Sequence, residues 1–548
     1  MRRRRAWLMV LALCIGILAG CTGNSDNGAS GEKVEASNSA DSGAKETEAA
    51  ESQAATGEAK EGGTLLVGLS GDPGSFNPNA AAADLLYSVA QNVFGRLAKL
   101  NNDQQIIPDL AKSWEISDDG LVYTFHLNEN VKWHDGSPFS SSDVKFTLEA
   151  IKKNNGTAVS SLSDITEITT PDNNTVVIKI AKPNASFLGY LAWYGTFILP
   201  EHIYSKAEWA AGTDTQMIGT GPFKYTEYKT GVNLTLEKNA DFYGKVPYVD
   251  KLIYSIIPDS NTMVQSLYNG EIDILVDPPA AEVEKMQADP KLNVKTSLFP
   301  SRTYVAYNFD KEPFNKPEVR KALAYALDSD EIIVKALKGQ GLKSKHFLSP
   351  VFAWAVSDDF AVPGYNPGKA KELLEQAGYN PDKDGNYLDI TLDTFQYTAF
   401  EDIAAVMKDQ LKKAGINLTI NVSDYASWEA KILTDRNFQL YLSGGYQGPD
   451  VGAVTTRVST GAPLNGMGYS NPKLDQLLKE GSELVKQEER VAKYVEVQRI
   501  LSEDVPIFPI TEYVGYETIQ AYVKGDPFSK EVIDQTSFSE YSYVWLDK

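Results

Sequence analysis

The 548-residue chain holds only two cysteines and four histidines, and its 52 Lys and Arg are outnumbered by 73 Asp and Glu. Two cysteines cannot build a disulfide framework. His126, His134, His202 and His346 are scattered, and no two are spaced like a metal-ligand pair, so no metal site is expected. A formal charge of −21 has the wrong sign for a phosphate-binding surface, which needs clustered Lys and Arg, so no nucleic-acid partner is expected. The apolar run at 7–18 falls short of the ~20 residues that cross a bilayer as a helix. Signature motifs are missing as well: there is no His-Glu-x-x-His, no Gly-x-Ser-x-Gly, no phosphate-cradling loop and no dinucleotide fingerprint. Gly219-Thr-Gly221 and Gly339-Gln-Gly341 lack a third glycine and read as turns. No cofactor is expected, and no catalytic role. A carboxylate pair of the kind used in glycoside hydrolysis could hide among so many acids, but nothing singles one out. A secreted hydrolase therefore stays only as an alternative.

What is present begins with an address. Arg2 to Arg5 precede the short apolar run, and Leu18-Ala19-Gly20-Cys21 closes it, the pattern of a cleavable secretory signal over residues 1–20. The tetrapeptide resembles the lipobox of bacterial lipoproteins, which implies lipid attachment at Cys21 and a membrane-tethered protein on the extracytoplasmic face. Residues 21–61 are rich in Gly, Ala, Ser, Glu and Asn, and Val34 is the only β-branched aliphatic there. Such a segment cannot bury enough apolar surface to offset its ordering entropy and reads as a disordered tether. Residues 1–61 carry nine acidic against seven basic side chains, so the acidity belongs to the rest of the chain.

From 62 onward, strands and helices alternate, which predicts an α/β fold of two to four domains. Short runs rich in Val, Ile, Tyr and Thr predict strands at 64–69, 121–127, 176–180, 252–257, 272–276, 304–309, 388–394, 416–422 and 438–442. Helices are expected at 141–153, 317–337, 367–377, 399–414 and 472–501. Within 367–377, Ala370, Leu373, Leu374 and Ala377 recur at helical spacing, and Gly378 follows as a stop. Pro317 and Pro472 suit a first helical turn. Asp118-Asp119-Gly120 and His134-Asp135-Gly136 read as turns. The 28 Tyr, 21 Phe and 8 Trp supply both core and stacking area.

Three segments together carry a resemblance. The first runs from Gly63 to Asp72 and on to Asn77-Pro78. The second runs from Pro108 through Trp114, Asp118 and Gly120 to Trp133-His134-Asp135-Gly136 and Asp143-Val144. The third joins Asn308-Phe309, Pro313-Phe314 and Val319-Arg320 to Asp328. In order and spacing they resemble the family 5 extracellular solute-binding proteins, the receptors of peptide and nickel ABC importers. The resemblance implies a periplasmic-binding-protein-like clamshell of two lobes with an additional inserted domain. Its domain I would comprise 62–104, 206–298 and 516–548, its domain II 105–205, and its domain III 299–515, with a hinge near 299 and 515. It also implies a monomer that captures a short peptide (or, in the alternative, an oligosaccharide) and hands it to the transmembrane permease subunits.

In peptide-binding members, a Gly-Trp strand pairs with the ligand, and an aspartate three residues on meets its ammonium. Here the corresponding run is Gly444-Gly445-Tyr446-Gln447-Gly448-Pro449-Asp450, with tyrosine in place of tryptophan and the acid displaced by one position. The resemblance points to Gly445, Tyr446, Gln447 and Asp450 as ligand-binding residues, with Ala82 and Tyr513 added by alignment. Asp450 also reads as a turn carboxylate capping the residues that follow it, and Gly444-Gly445 as a bulge or close backbone packing.

Overall fold

The computed structural model describes residues 58–80, 83–101, 104–193, 195–209, 217–525 and 539–548. The expected signal, Cys21, the tether up to 57 and Ala82 lie outside the described residues.

Alternation of inward and outward side chains makes Thr64–Leu69 a strand with Leu65 and Val67 fully buried. It sits inside an 11-stranded mixed sheet. Two long strands, Leu292–Tyr307 and Ile507–Gln520, lie antiparallel at the centre of that sheet. On one side of this pair are Ile274–Val276, Thr64–Leu69, Lys251–Ile256, Asn233–Lys238 and Phe223–Lys229. On the other side are Leu440–Tyr446, Leu388–Phe395 and Ile416–Ser423. The two central strands thus join two lobes. Their register shifts between Leu298 and Arg302, a bulge midway along the pair.

The second lobe is built on one apolar core drawn from residues 304–510, including Val305, Leu323, Leu392, Met407 and Leu440. The first lobe holds a core that brings Leu65, Leu234 and Leu252 against Val544 and Leu546 near the C-terminus. It also carries an antiparallel four-stranded sheet, ordered Ala111–Ile116, Val122–Leu127, Thr175–Ile180, Ile165–Asp172, with its own core. The helix Ser141–Lys153 packs Val144, Leu148 and Ile151 into that core, and the Asp143 carboxylate accepts the Ser140 amide at 2.9 Å at its start.

Most expected elements are found within a residue or two, but two helices are shorter than the periodicity predicts. The run 317–337 is two helices, Pro317–Ala326 and Ser329–Ala336. The Asp328 carboxylate accepts the Asp330 amide at 3.1 Å and the Glu331 amide at 3.3 Å, and that cap starts a new helix. The run 472–501 likewise divides into Pro472–Glu483 and Gln487–Asp504; Glu488 and Glu489 sit in the first turn of the second, where the helix dipole favours them.

The turn around His134 shows why Gly219-Thr-Gly221 is glycine-rich. A Cβ on Gly219 would lie 1.8 Å from the Val93 carbonyl oxygen, so only glycine lets the two backbones meet. The Gly219 amide donates to His134 Nδ1 at 3.2 Å, and His134 Nε2 donates to the Gly221 carbonyl at 3.0 Å, which defines a neutral ring. Burial is the main cause that lowers its pKa from 6.5 to about 4. The unfolded chain therefore binds a proton on this ring between about pH 6.5 and pH 4 where the folded chain does not, and stability falls as pH drops through that window. The expected loss is about 2 kcal/mol by pH 5. Urea midpoints at pH 7 and pH 5 check it: the drop should be smaller in His134→Asn, and an equal drop in both proteins contradicts the assignment.

Candidate ligand-binding site

The strand Leu440–Tyr446 runs antiparallel to Leu292–Tyr307, pairing Gly444 with Thr303, Gly445 with Arg302 and Tyr446 with Ser301. On its other side it meets Leu388–Phe395 only at Leu440 and Tyr441. From Leu442 to Tyr446 this edge has no partner strand among the described residues. The Gln447 amide donates to the Pro300 carbonyl at 2.6 Å. By antiparallel alternation, the amide and carbonyl of Gly445 then face Arg302, while those of Gly444 and Tyr446 face the open edge. Gly444 is in close backbone packing, because a Cβ there would lie 2.9 Å from the Arg302 carbonyl oxygen. Gly445 has φ +121°, a conformation that L side chains rarely adopt, and the space where a Cβ would stand is empty.

Residues 185–193 of the first lobe close over this strand. Trp193 stacks on Tyr446 with ring centroids 4.0 Å apart and planes 14° apart, and Phe299 at the bulge stacks on the Tyr446 ring at 5.3 Å. The ring of Tyr513 meets Phe299 edge-on at 6.3 Å; its hydroxyl donates to Asp277 at 3.3 Å, and 42% of the residue is exposed. The Ala185 amide donates to the Ser482 carbonyl at 2.8 Å, a second tie between the lobes.

Asp450 caps the turn Val451–Val454, where its carboxylate accepts the Gly452 amide at 2.8 Å. The same carboxylate accepts both Arg490 terminal nitrogens, at 2.9 and 2.5 Å, and the Ser186 hydroxyl of the first lobe at 2.9 Å. The two side chains are 5% and 15% exposed for Arg490 and Asp450. Burial works to lower the Arg490 pKa, but the paired carboxylate outweighs it and holds the pKa above its ordinary value. The guanidinium lies over the rings of Trp354 and Tyr494 at 5.0 and 5.3 Å. Tyr190, between Asp450 and Arg457, is pushed up to about 12, chiefly by burial.

Gln447 folds back on its own strand, Nε2 donating to the Gly445 carbonyl at 2.6 Å, and lines a small cavity with Tyr304, Tyr441 and Arg457. Its volume is about 20 Å³, room for about one water molecule. The structure thus brings Gly445, Tyr446, Gln447 and Asp450 together, and places Tyr513 beside them through Phe299. Sequence reasoning missed Ser186, Trp193, Phe299, Arg457 and Arg490. None stands in a local pattern that marks it, since each reaches the site only through the fold.

Two lobes joined by a pair of central strands, with an open strand edge and stacked rings at their junction, define a binding protein that grips its ligand between lobes. The model of the bacterial extracellular solute-binding proteins, family 5 middle region, matches residues 105–462, and the chain belongs to that family. It is similar to the oligopeptide-binding protein AppA of Bacillus subtilis, with 28% identity over 95% of this chain and 97% of AppA. Its fold is shared with the ABC transporter substrate-binding protein CtaP of Listeria monocytogenes, at a TM-score of 0.77 and 28% identity over 89% of this chain and all of that one. It is shared as well with Bacillus subtilis AppA solved in complex with a nonapeptide, at a TM-score of 0.69 and 26% identity over 90% of this chain and all of that one.

Proposed function

We propose that the protein captures short peptides between its lobes outside the cytoplasm and presents them to the transmembrane subunits of an ABC importer. The observation that carries this reading is the open edge of the strand ending at Tyr446. An extended peptide can add to such an edge through main-chain hydrogen bonds, which tolerate many sequences. Gly445, without a side chain, keeps the edge accessible. Tyr446, Gln447 and Tyr513 supply walls, and Ala82 belongs to the same set by alignment. Asp450 enters this set as half of a compensated pair: an incoming ammonium would share its carboxylate with Arg490, so Asp450 offers a hydrogen-bond acceptor more than a free charge. The likeness to AppA, solved with a nonapeptide, supports a peptide ligand.

The rings of Trp193 and Tyr446 stack on one another at 4.0 Å, so the face each presents to the other is taken by a protein ring and not by a sugar. The same reading assigns the hinge to the two central strands near 299 and 515 and the domain limits to 62–104, 206–298 and 516–548 for the first, 105–205 for the inserted second and 299–515 for the third; the register shift between Leu298 and Arg302 supports a hinge there. The mature protein is a monomer held at the membrane by lipid on Cys21. Calorimetric titration with di- to octapeptides and with maltooligosaccharides tests the reading. Saturable heat is expected with peptides alone; heat with the sugars and none with peptides overturns it.

A further inference from the structure

The lobes are also tied by a set of contacts that uses no residue of the strand Leu440–Tyr446. On the first lobe they come from the four-stranded sheet, in the loop that follows its strand Thr175–Ile180. The Phe187 amide donates to the Asn184 carbonyl at 3.0 Å, and Ser186 has φ −79° and ψ −10°, so Asn184 to Phe187 form a type I turn with Ala185 at its second position. The turn is firmly seated. The Tyr123 hydroxyl donates to the Asn184 carbonyl at 3.2 Å, and Phe187 and Leu191 are buried in the core of that sheet. Two successive residues of the turn then reach the second lobe: the Ala185 amide donates to the Ser482 carbonyl at 2.8 Å, and the Ser186 hydroxyl to Asp450 at 2.9 Å.

The two receiving groups are remote in sequence, yet one side chain fixes both. Arg490 Nε donates to the Gly481 carbonyl at 2.9 Å, while its terminal nitrogens hold Asp450. The turn between the helices Pro472–Glu483 and Gln487–Asp504 therefore presents its acceptors in a set position. In the same turn Val485 stands against the small sheet. A Cβ on Gly120 would lie 3.0 Å from Val485 Cγ2 and 3.3 Å from Pro183 Cβ, so Val485 and Pro183 flank the hairpin turn at Gly120. Groups already held in place on both sides lose little freedom when they meet, so these contacts favour the closed arrangement.

We propose that the four-stranded sheet works as a latch: through Ala185, Ser186 and the seat for Val485 it holds the second lobe closed, whatever lies on the strand edge. A contact made only in the closed state adds the same free energy for every ligand. The latch therefore scales all affinities by one factor and leaves their ranking alone. It does not depend on the ligand being a peptide.

Hydrogen exchange of the full-length protein reads the latch with no ligand added. Ser186→Ala removes one tie, and Val485→Glu sets a charge against Gly120 and Pro183. In each, the segment 183–187 should exchange about threefold to tenfold faster, the scale of one lost hydrogen bond, while Leu388–Phe395 in the second lobe keeps its wild-type rate. Val485→Ile, which keeps the apolar contact, should match wild type. A third variant, Ala185→Pro, has no amide to give Ser482, and proline suits the second position of a type I turn, so the fold is kept. With a panel of tetrapeptides of Ala, Val, Leu and Phe, its dissociation rates should rise by one common factor of about threefold to tenfold, with association rates and ranking unchanged. Exchange at 183–187 that rises no more than at Leu388–Phe395 overturns the latch. So does a changed ranking of peptides in Ala185→Pro, which would make the turn part of ligand recognition. If no tetrapeptide binds the wild-type protein, the peptide reading fails and the exchange rates still decide the latch.

Discussion

Tyr446→Ala weakens peptide binding by about 2 kcal/mol, roughly thirtyfold, whereas Tyr446→Phe stays within about threefold of wild type. The difference isolates the ring from the hydroxyl. The Tyr446 ring stacks on Trp193 of the first lobe at 4.0 Å and on Phe299 of the bulge at 5.3 Å, and Trp193 and Phe299 also stack on each other at 6.1 Å. Stacked aromatic pairs contribute about 0.5–1.5 kcal/mol beyond the area they bury, and here two pairs share one ring. Because Trp193 and Tyr446 belong to different lobes, the stack forms only when the lobes meet. Its loss therefore disfavours the closed state that holds the ligand, and not the fold of either lobe. Titration calorimetry measures the affinity, and thermal unfolding should change little. Wild-type affinity in Tyr446→Ala would remove the stack from the binding mechanism.

The second large effect concerns stability. Glu512→Gln destabilises the protein by about 3–5 kcal/mol. Arg302 and Glu512 face each other on the two central strands, one residue beyond the bulge region, with side chains 2% and 0% exposed. The Arg302 guanidinium contacts the Glu512 carboxylate and donates to the carbonyls of Phe347 at 2.7 Å and Leu348 at 3.0 Å. The Ser344 hydroxyl donates to Glu512 at 2.6 Å. This network is satisfied at nearly every donor, so removing one charge strands the other in a buried site. The double variant Arg302→Met/Glu512→Leu should lose much less than either single variant, because it buries no lone charge. Denaturant unfolding of the second lobe checks this. A single-variant loss below about 1 kcal/mol would mean that solvent reaches the pair.

How much of this was legible beforehand depended on whether a feature was local. Thr64–Leu69 and Ser141–Lys153 are found with the bounds that alternation and helical spacing predict, because each buries one face and carries its own stops. Of the two central strands, only the end of the first was expected, at 304–309; the rest of it and all of the second were the main omission. The half of Leu292–Tyr307 before the bulge reads LNVKTSL, too polar for a strand signal, and Ile507–Gln520 contains Pro509 and Gly515. Both are strands because long-range pairing overrides weak propensity, and Pro509 is accommodated beside Tyr304, next to a register shift. At the site, the resemblance directs attention to the run 444–450, and Asp450 takes the turn-capping role that was one of its two readings. The partner that neutralises it, Arg490, is forty residues away on a helix, and no spacing rule reaches it. Trp193 is equally remote, since it meets Tyr446 only once two lobes have folded and approached.

Native mass spectrometry of the protein purified without refolding tests most directly whether these lobes close on peptides. A population of adducts that fragment into amino-acid ladders is the predicted result, with the ligand lost from Tyr446→Ala. Adducts spaced by hexose units, or a wild-type protein that neither retains nor takes up a peptide, would contradict it.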